Sequence, residues 1–139
     1  ATLTGSIVVA LGHHMAGLFG GDAPGDGAPG ADTLAGQVRA AGSAVGEEAW
    51  PMPIGERHRE DLRSDIADLR QCASGRGQPD ACHAAAFLRE FVGDVPWAHL
   101  DIAGVESRDK ADDRHPAGAT GWGVRLLDRL VAARFEGER

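Results

Sequence analysis

The chain has 139 residues, 42% of them apolar and 25% charged, which suits a single domain able to bury roughly two-thirds of its unfolded surface. Its 21 acidic and 14 basic residues leave a net charge of -7, arguing against nucleic acid or an anionic membrane surface as partner, since both require a cationic face. No apolar run approaches the ~18 residues of a membrane span, no signal peptide is visible, and Cys72 and Cys82 are too few for a disulfide scaffold, so a cytoplasmic location is expected.

In chain order, Ala1 to Gly5 leads into Ile7-Val8-Val9-Ala10, a β-branched apolar run. It predicts a buried strand near Ser6 to Ala10, entered without a turn signal, as expected of a longer domain truncated on its N-terminal side. A second strand is expected near Ala16 to Phe19. Gly20 to Gly30, rich in Gly, Pro and Asp, reads as a flexible surface loop. A helix near Asp32 to Val45 follows, with Leu34, Val38, Ala41 and Val45 on one face, Asp32 as N-cap and Gly46 at the C-terminal end.

Trp50-Pro51-Met52-Pro53 reads as an extended, proline-fixed segment. A charged helix is expected around Glu56 to Ser64, and a second loop at Ala73 to Asp80. Cys82 to Val92 predicts a helix with an apolar stripe of Ala84, Ala85, Phe87, Leu88, Phe91 and Val92, ending at Gly93. Trp97 to Ile102 has a strand period, with Ala98, Leu100 and Ile102 alternating against Asp101 and its neighbours. Val105 to His115 reads as a polar loop. Thr120 is the expected cap of a last helix, Gly121 to Phe135, burying Val124, Leu127, Val131 and Phe135. Strands and helices in alternation predict an α/β layered domain spanning residues 1–139.

Chemistry is harder to find. His13 and His14 are adjacent, so on a strand they would point to opposite faces, and no His-Glu-x-x-His is present. The two cysteines are not spaced as a metal pair and read as small, partly buried thiols. Asp65 and Asp68, flanked by Arg63 and Arg70, fit a solvated salt-bridged face. Asp101 is expected to turn outward from the apolar face of its strand, at a C-terminal strand end where α/β ligand sites gather, although the pattern alone favours a structural role. No nucleophile elbow, P-loop or dinucleotide fingerprint occurs. Taken alone, these residues specify a fold class and no reaction.

The order of the blocks adds more. Ala1-Thr2-Leu3-Thr4-Gly5 with Ala10-Leu11-Gly12-His13-His14 resembles the C-terminal catalytic part of the leucyl (cytosol) aminopeptidases, two-metal exopeptidases. So do Ser64-Asp65-Ile66-Ala67-Asp68-Leu69, Ala84-Ala85-Ala86-Phe87-Leu88-Arg89-Glu90-Phe91-Val92 and Trp97-Ala98-His99-Leu100-Asp101-Ile102-Ala103-Gly104. Gly118-Ala119-Thr120-Gly121 with Gly123-Val124-Arg125 completes a series in the family's order across nearly the whole chain.

The resemblance implies a mixed-sheet α/β/α domain of the zinc-dependent exopeptidase type, assembled into hexamers, that releases N-terminal residues from peptides. It implies two divalent ions, zinc with manganese or magnesium exchangeable at one site, which activate a bridging water and bind the substrate. The family's metal ligands and catalytic residues belong to blocks absent from this sequence, among them Asn-Thr-Asp-Ala-Glu-Gly-Arg. No catalytic or metal-ligating residue is therefore carried over, and the segment alone is expected to be inactive.

Thr2, Leu3, Gly5 and Ala103 match the family's substrate-contacting positions. Three departures stand out: Glu106 where relatives carry an apolar or small pocket residue, His83 where they carry Thr, and a longer Gly20 to Gly30 loop. The alternative is a non-catalytic remnant or assembly domain of the same fold.

Overall fold

The computed structural model describes residues 1–20, 30–72, 80–113 and 116–136. The predicted loops at Gly20 to Gly30 and Ala73 to Asp80 fall outside these, save for Gly20, Gly30 and Asp80. The described elements are α1 (Gly5–Leu11), β1 (Ala16–Phe19), α2 (Leu34–Val45), β2 (Ala49–Pro51), α3 (Glu56–Glu60), α4 (Ala81–Arg89), β3 (His99–Asp101), β4 (Ser107–Arg108), β5 (Gly118–Ala119) and α5 (Val124–Phe135).

A mixed sheet in the order β2-β1-β3 forms the middle layer, with β1 parallel to β2 and antiparallel to β3. Thr2 extends it by a parallel bridge to Asp101. β1 alternates cleanly between the layers. Ala16 and Leu18 face a core with Ala35, Val38, Ala49, Val105 and Leu126, under α2 and α5. Phe19 faces the other core with Ile7, Ala81 and Ala85, under α1 and α4. Helices thus cover both faces, and the expected α/β/α layering is present.

The segment predicted as a strand near Ser6 to Ala10 is helix α1. Ile7 and Leu11, four apart, pack toward the sheet while Val9 is 90% exposed, an i, i+4 pattern hidden inside an unbroken apolar run. Gly17 lets α1 approach closely, since a Cβ there would lie 2.6 Å from Ile7 Cδ1. His13 and His14 consequently follow a helix and occupy a turn, not opposite faces of a strand. In α2 the cap is Thr33, whose hydroxyl accepts the Gly36 amide, rather than Asp32. Gly46 ends the helix with φ +72° as expected.

β2 starts one residue before the predicted extended segment and ends at Pro51, and α3 falls within the predicted helical segment, each shorter than expected. α4 ends at Arg89, and its buried face is Ala81, His83, Ala85 and Ala86. Phe91, predicted inside, is 69% exposed. The predicted polar loop after Val105 contains β4, paired with β5.

The last helix is rotated from its prediction. Val124, Leu127, Val131 and Phe135 are exposed at 67%, 51%, 47% and 71%, while Leu126 is fully buried and Leu130 packs beside it. Thr120 does not cap this helix; it accepts the Trp122 amide and donates to the Val105 carbonyl at 2.6 Å. The first turn is instead held by Glu47, a buried carboxylate 76 residues upstream of the Gly123 amide it binds.

Candidate functional site

β3 is covered on both faces. Ala98, Leu100 and Ile102 turn into the α2/α5 core, which directs His99 and Asp101 to the opposite side. Asp101, expected to turn outward, is fully buried because α1 and the segment preceding it cover that side of the strand. Its carboxylate is taken up by donors. Oδ1 accepts the Thr4 amide at 3.1 Å and the Ala103 amide at 3.3 Å. Oδ2 accepts the Thr4 hydroxyl.

His99, two residues earlier on the same face, bonds through Nε2 to the Thr2 hydroxyl at 2.7 Å. Its ring lies between Trp97, stacked at 14°, and Phe19. Burial pushes its pKa down to about 4, against the opposing pull of Asp101. The imidazole is therefore neutral at ordinary pH, with one ring nitrogen donating and the other accepting.

Main-chain pairing locks the same segment. The Thr2 amide donates to Leu100 O at 2.9 Å and Thr2 O accepts the Ile102 amide at 3.0 Å. Since successive strand residues point their amides and carbonyls to opposite edges, those of Leu3 face away from β3. Leu3 itself is 63% exposed, and a Cβ on Gly5 would meet nothing within 4 Å. Ala103 is half-buried against the Ile7/Phe19 core.

The structure thus brings Thr2, Leu3 and Gly5 beside Ala103, joining segments 97 residues apart through Asp101. The exposed edge of Leu3 and the open space at Gly5 form a surface that can present backbone hydrogen-bonding groups to an extended ligand. Glu106 turns its carboxylate to the Ser107 hydroxyl at 3.0 Å in the exposed polar segment. His83 is buried on α4, where Nε2 lies 2.9 Å from Asp61 Oδ2 and the ring packs edge-on against His58. Asp65 and Asp68 occupy exposed bends.

Sequence reasoning missed His99 and weighted Asp101 as structural. The available signal was their spacing: two polar residues on the second face of a strand whose first face is apolar.

The turn after this site is tightly packed. His13 Nδ1 bonds Gly104 O at 3.0 Å, and a Cβ on Gly104 would overlap the Gly12 carbonyl oxygen. Gly104→Ala is expected to cost about 2–3 kcal/mol of stability through this backbone overlap, read as a lowered urea midpoint.

Among the described residues no group of three or more His, Cys, Asp or Glu side chains converges as a metal site requires. The carboxylate nearest the predicted substrate residues, Asp101, is already committed to three donors. The described residues therefore do not fit a metal by themselves. Cys72 is exposed and Cys82 half-buried, its thiol pushed up to about 11 by burial and by Asp80, which leaves it protonated and unreactive. No helix among the described residues is long and apolar enough to cross a membrane.

The profile of the "Cytosol aminopeptidase family, catalytic domain" matches residues 1–128. A "Probable cytosol aminopeptidase" of Methylorubrum extorquens is 46% identical over 136 residues, covering 98% of this chain and 25% of the relative. One from Roseiflexus castenholzii is 53% identical over 128 residues, 91% of this chain and 24% of its own. A mutant of tomato leucine aminopeptidase superposes with a TM-score of 0.77 at 40% identity, over 96% of this chain and 23% of that one. The chain thus spans about a quarter of the length of the curated relatives it matches.

Proposed function

The chain belongs to the cytosol aminopeptidase family, and from that we propose that it is the part of a leucyl aminopeptidase polypeptide that shapes the substrate pocket. In the complete enzyme it would serve the release of N-terminal residues from peptides in the cytoplasm. The observation carrying this reading is the union of Thr2, Leu3, Gly5 and Ala103 around Asp101, with the Leu3 edge exposed. An open strand edge of this kind suits an extended peptide, which can pair its own amides and carbonyls there.

Two divalent ions, zinc with manganese or magnesium at one site, would activate water and polarise the scissile carbonyl. Their ligands would come from other parts of the polypeptide, because the described residues assemble no metal site. The Glu106 carboxylate would point along the exposed polar segment instead of into the pocket, since it is turned to Ser107.

The alternative is a non-catalytic assembly domain of the same fold. The exposed stripe Val124, Leu127, Val131 and Phe135 favours it, as apolar area available for burial between copies. In the complete enzyme the same stripe would serve assembly into hexamers.

The test replaces the matching quarter of the Methylorubrum extorquens relative with these 139 residues. The hybrid should hydrolyse leucyl amides, and a chelator should abolish the activity. The 139-residue chain alone should neither hydrolyse them nor retain zinc through dialysis. An inactive, correctly folded hybrid that still oligomerises would favour the assembly reading.

A further inference from the structure

We propose that His99 and Asp101 are positioning residues that set the substrate-facing register of the Thr2–Gly5 segment, and so determine how tightly the pocket binds its peptide. The inference rests on the aminopeptidase reading and adds to it two residues that touch no substrate. Its geometric basis is a matched pair. The two side chains that β3 turns toward α1 each hold one threonine, His99 taking Thr2 and Asp101 taking Thr4.

Thr2 and Thr4 both turn toward β3, so Leu3 between them is forced outward. A slip of one residue would reverse this, burying Leu3 against Asp101 and exposing both hydroxyls. Asp101 enforces the correct register at two points, because the oxygen that accepts the Thr4 amide also accepts the Ala103 amide. The strand end and the pocket wall therefore move together. His99 contributes as a neutral group: a neutral ring bonds a hydroxyl without adding a charge to the buried layer between Trp97 and Phe19.

The test uses the hybrid enzyme described above and compares four variants. Asp101→Ala removes the acceptor for both amides, and Thr4→Val removes only the hydroxyl tie. Asp101→Asn retains one oxygen able to accept both amides. Glu47→Gln weakens the first turn of α5, away from this segment.

Misplacement of binding groups by about 1 Å is worth up to roughly 100-fold, so Asp101→Ala and Thr4→Val should raise KM for leucyl amides at least about tenfold. Their kcat should change much less, and Asp101→Asn should recover most of the loss. Glu47→Gln should lower stability without moving KM. Unchanged KM in Thr4→Val and Asp101→Ala, or an equal rise in Glu47→Gln, overturns the proposal.

If the unsubstituted hybrid is inactive, the aminopeptidase reading itself fails, and the positioning claim is judged separately. Amide exchange in the 139-residue chain then decides it. Thr4→Val and Asp101→Asn keep the chain folded if Asp101→Ala does not. In Thr4→Val the residue-4 amide, held by Asp101, and the Ile102 amide, held by Thr2 O, should exchange faster; no change in either overturns the proposal.

Discussion

Glu47→Ala is expected to lower the unfolding free energy by about 3 kcal/mol, among the largest effects of any single substitution outside the apolar core. Glu47 is 3% exposed, and its carboxylate accepts the Gly123 amide at 3.0 Å, the Leu126 amide at 2.9 Å and Arg125 Nε at 3.2 Å. It stands where the partial positive charge of the α5 N-terminus is greatest. Gly123, the residue at the N-cap position, has no side chain to do this work.

Truncation leaves two buried amides without an acceptor and removes the anion from the helix end. Gln retains one acceptor oxygen and loses the charge, so Glu47→Gln should fall between wild type and Ala. Urea unfolding measures the loss, and amide exchange should localise it to the first turn of α5. An unchanged midpoint in Glu47→Ala would show that water replaces the cap.

Acidification should destabilise the protein through His99, by on the order of 3 kcal/mol across the window from about pH 6.5 to about pH 4. The sign follows from its buried, neutral state. In the unfolded chain the imidazole takes a proton near its ordinary value, whereas in the folded protein burial holds it down to about 4. Between these values the unfolded state binds more protons, so stability is complete above the unfolded value and falls as pH drops toward the folded one. Below about pH 4 both states are protonated and this contribution no longer changes.

His99→Gln cannot titrate and keeps a donor and an acceptor for the Thr2 hydroxyl. The difference in unfolding free energy between wild type and His99→Gln, measured from pH 7 to pH 4, should carry this slope. A pH-independent difference would mean that the imidazole is charged or solvated in the folded state.

Much of the architecture is legible in local patterns. The α2 periodicity with Gly46 behind it, the alternation around Leu100 and the extended backbone at Trp50-Pro51 each act over a few residues, where propensity and turn chemistry operate. The resemblance of five ordered blocks likewise identified the family, because motif order survives independently of side-chain geometry. Thr2, Leu3, Gly5 and Ala103 could be singled out that way as expected substrate contacts.

The failures share one cause, which is competition between patterns that only packing resolves. Ile7 to Ala10 satisfies a buried strand by composition and a helix by the Ile7/Leu11 pair, and close approach over Gly17 favours the helix. α5 carries two apolar stripes, Val124/Leu127/Val131/Phe135 and Leu126/Leu130. A carboxylate from the end of α2 fixes the Leu126 amide and so selects which stripe enters the core. Asp101 and His99 read as polar residues on an open face until α1 closes over them, and only then do their bonds to Thr4 and Thr2 exist. Local sequence can encode an element's period and its ends, but not which face a neighbour from a distant part of the chain will cover. That choice arises from burying apolar area while satisfying every buried donor, a condition on the whole fold.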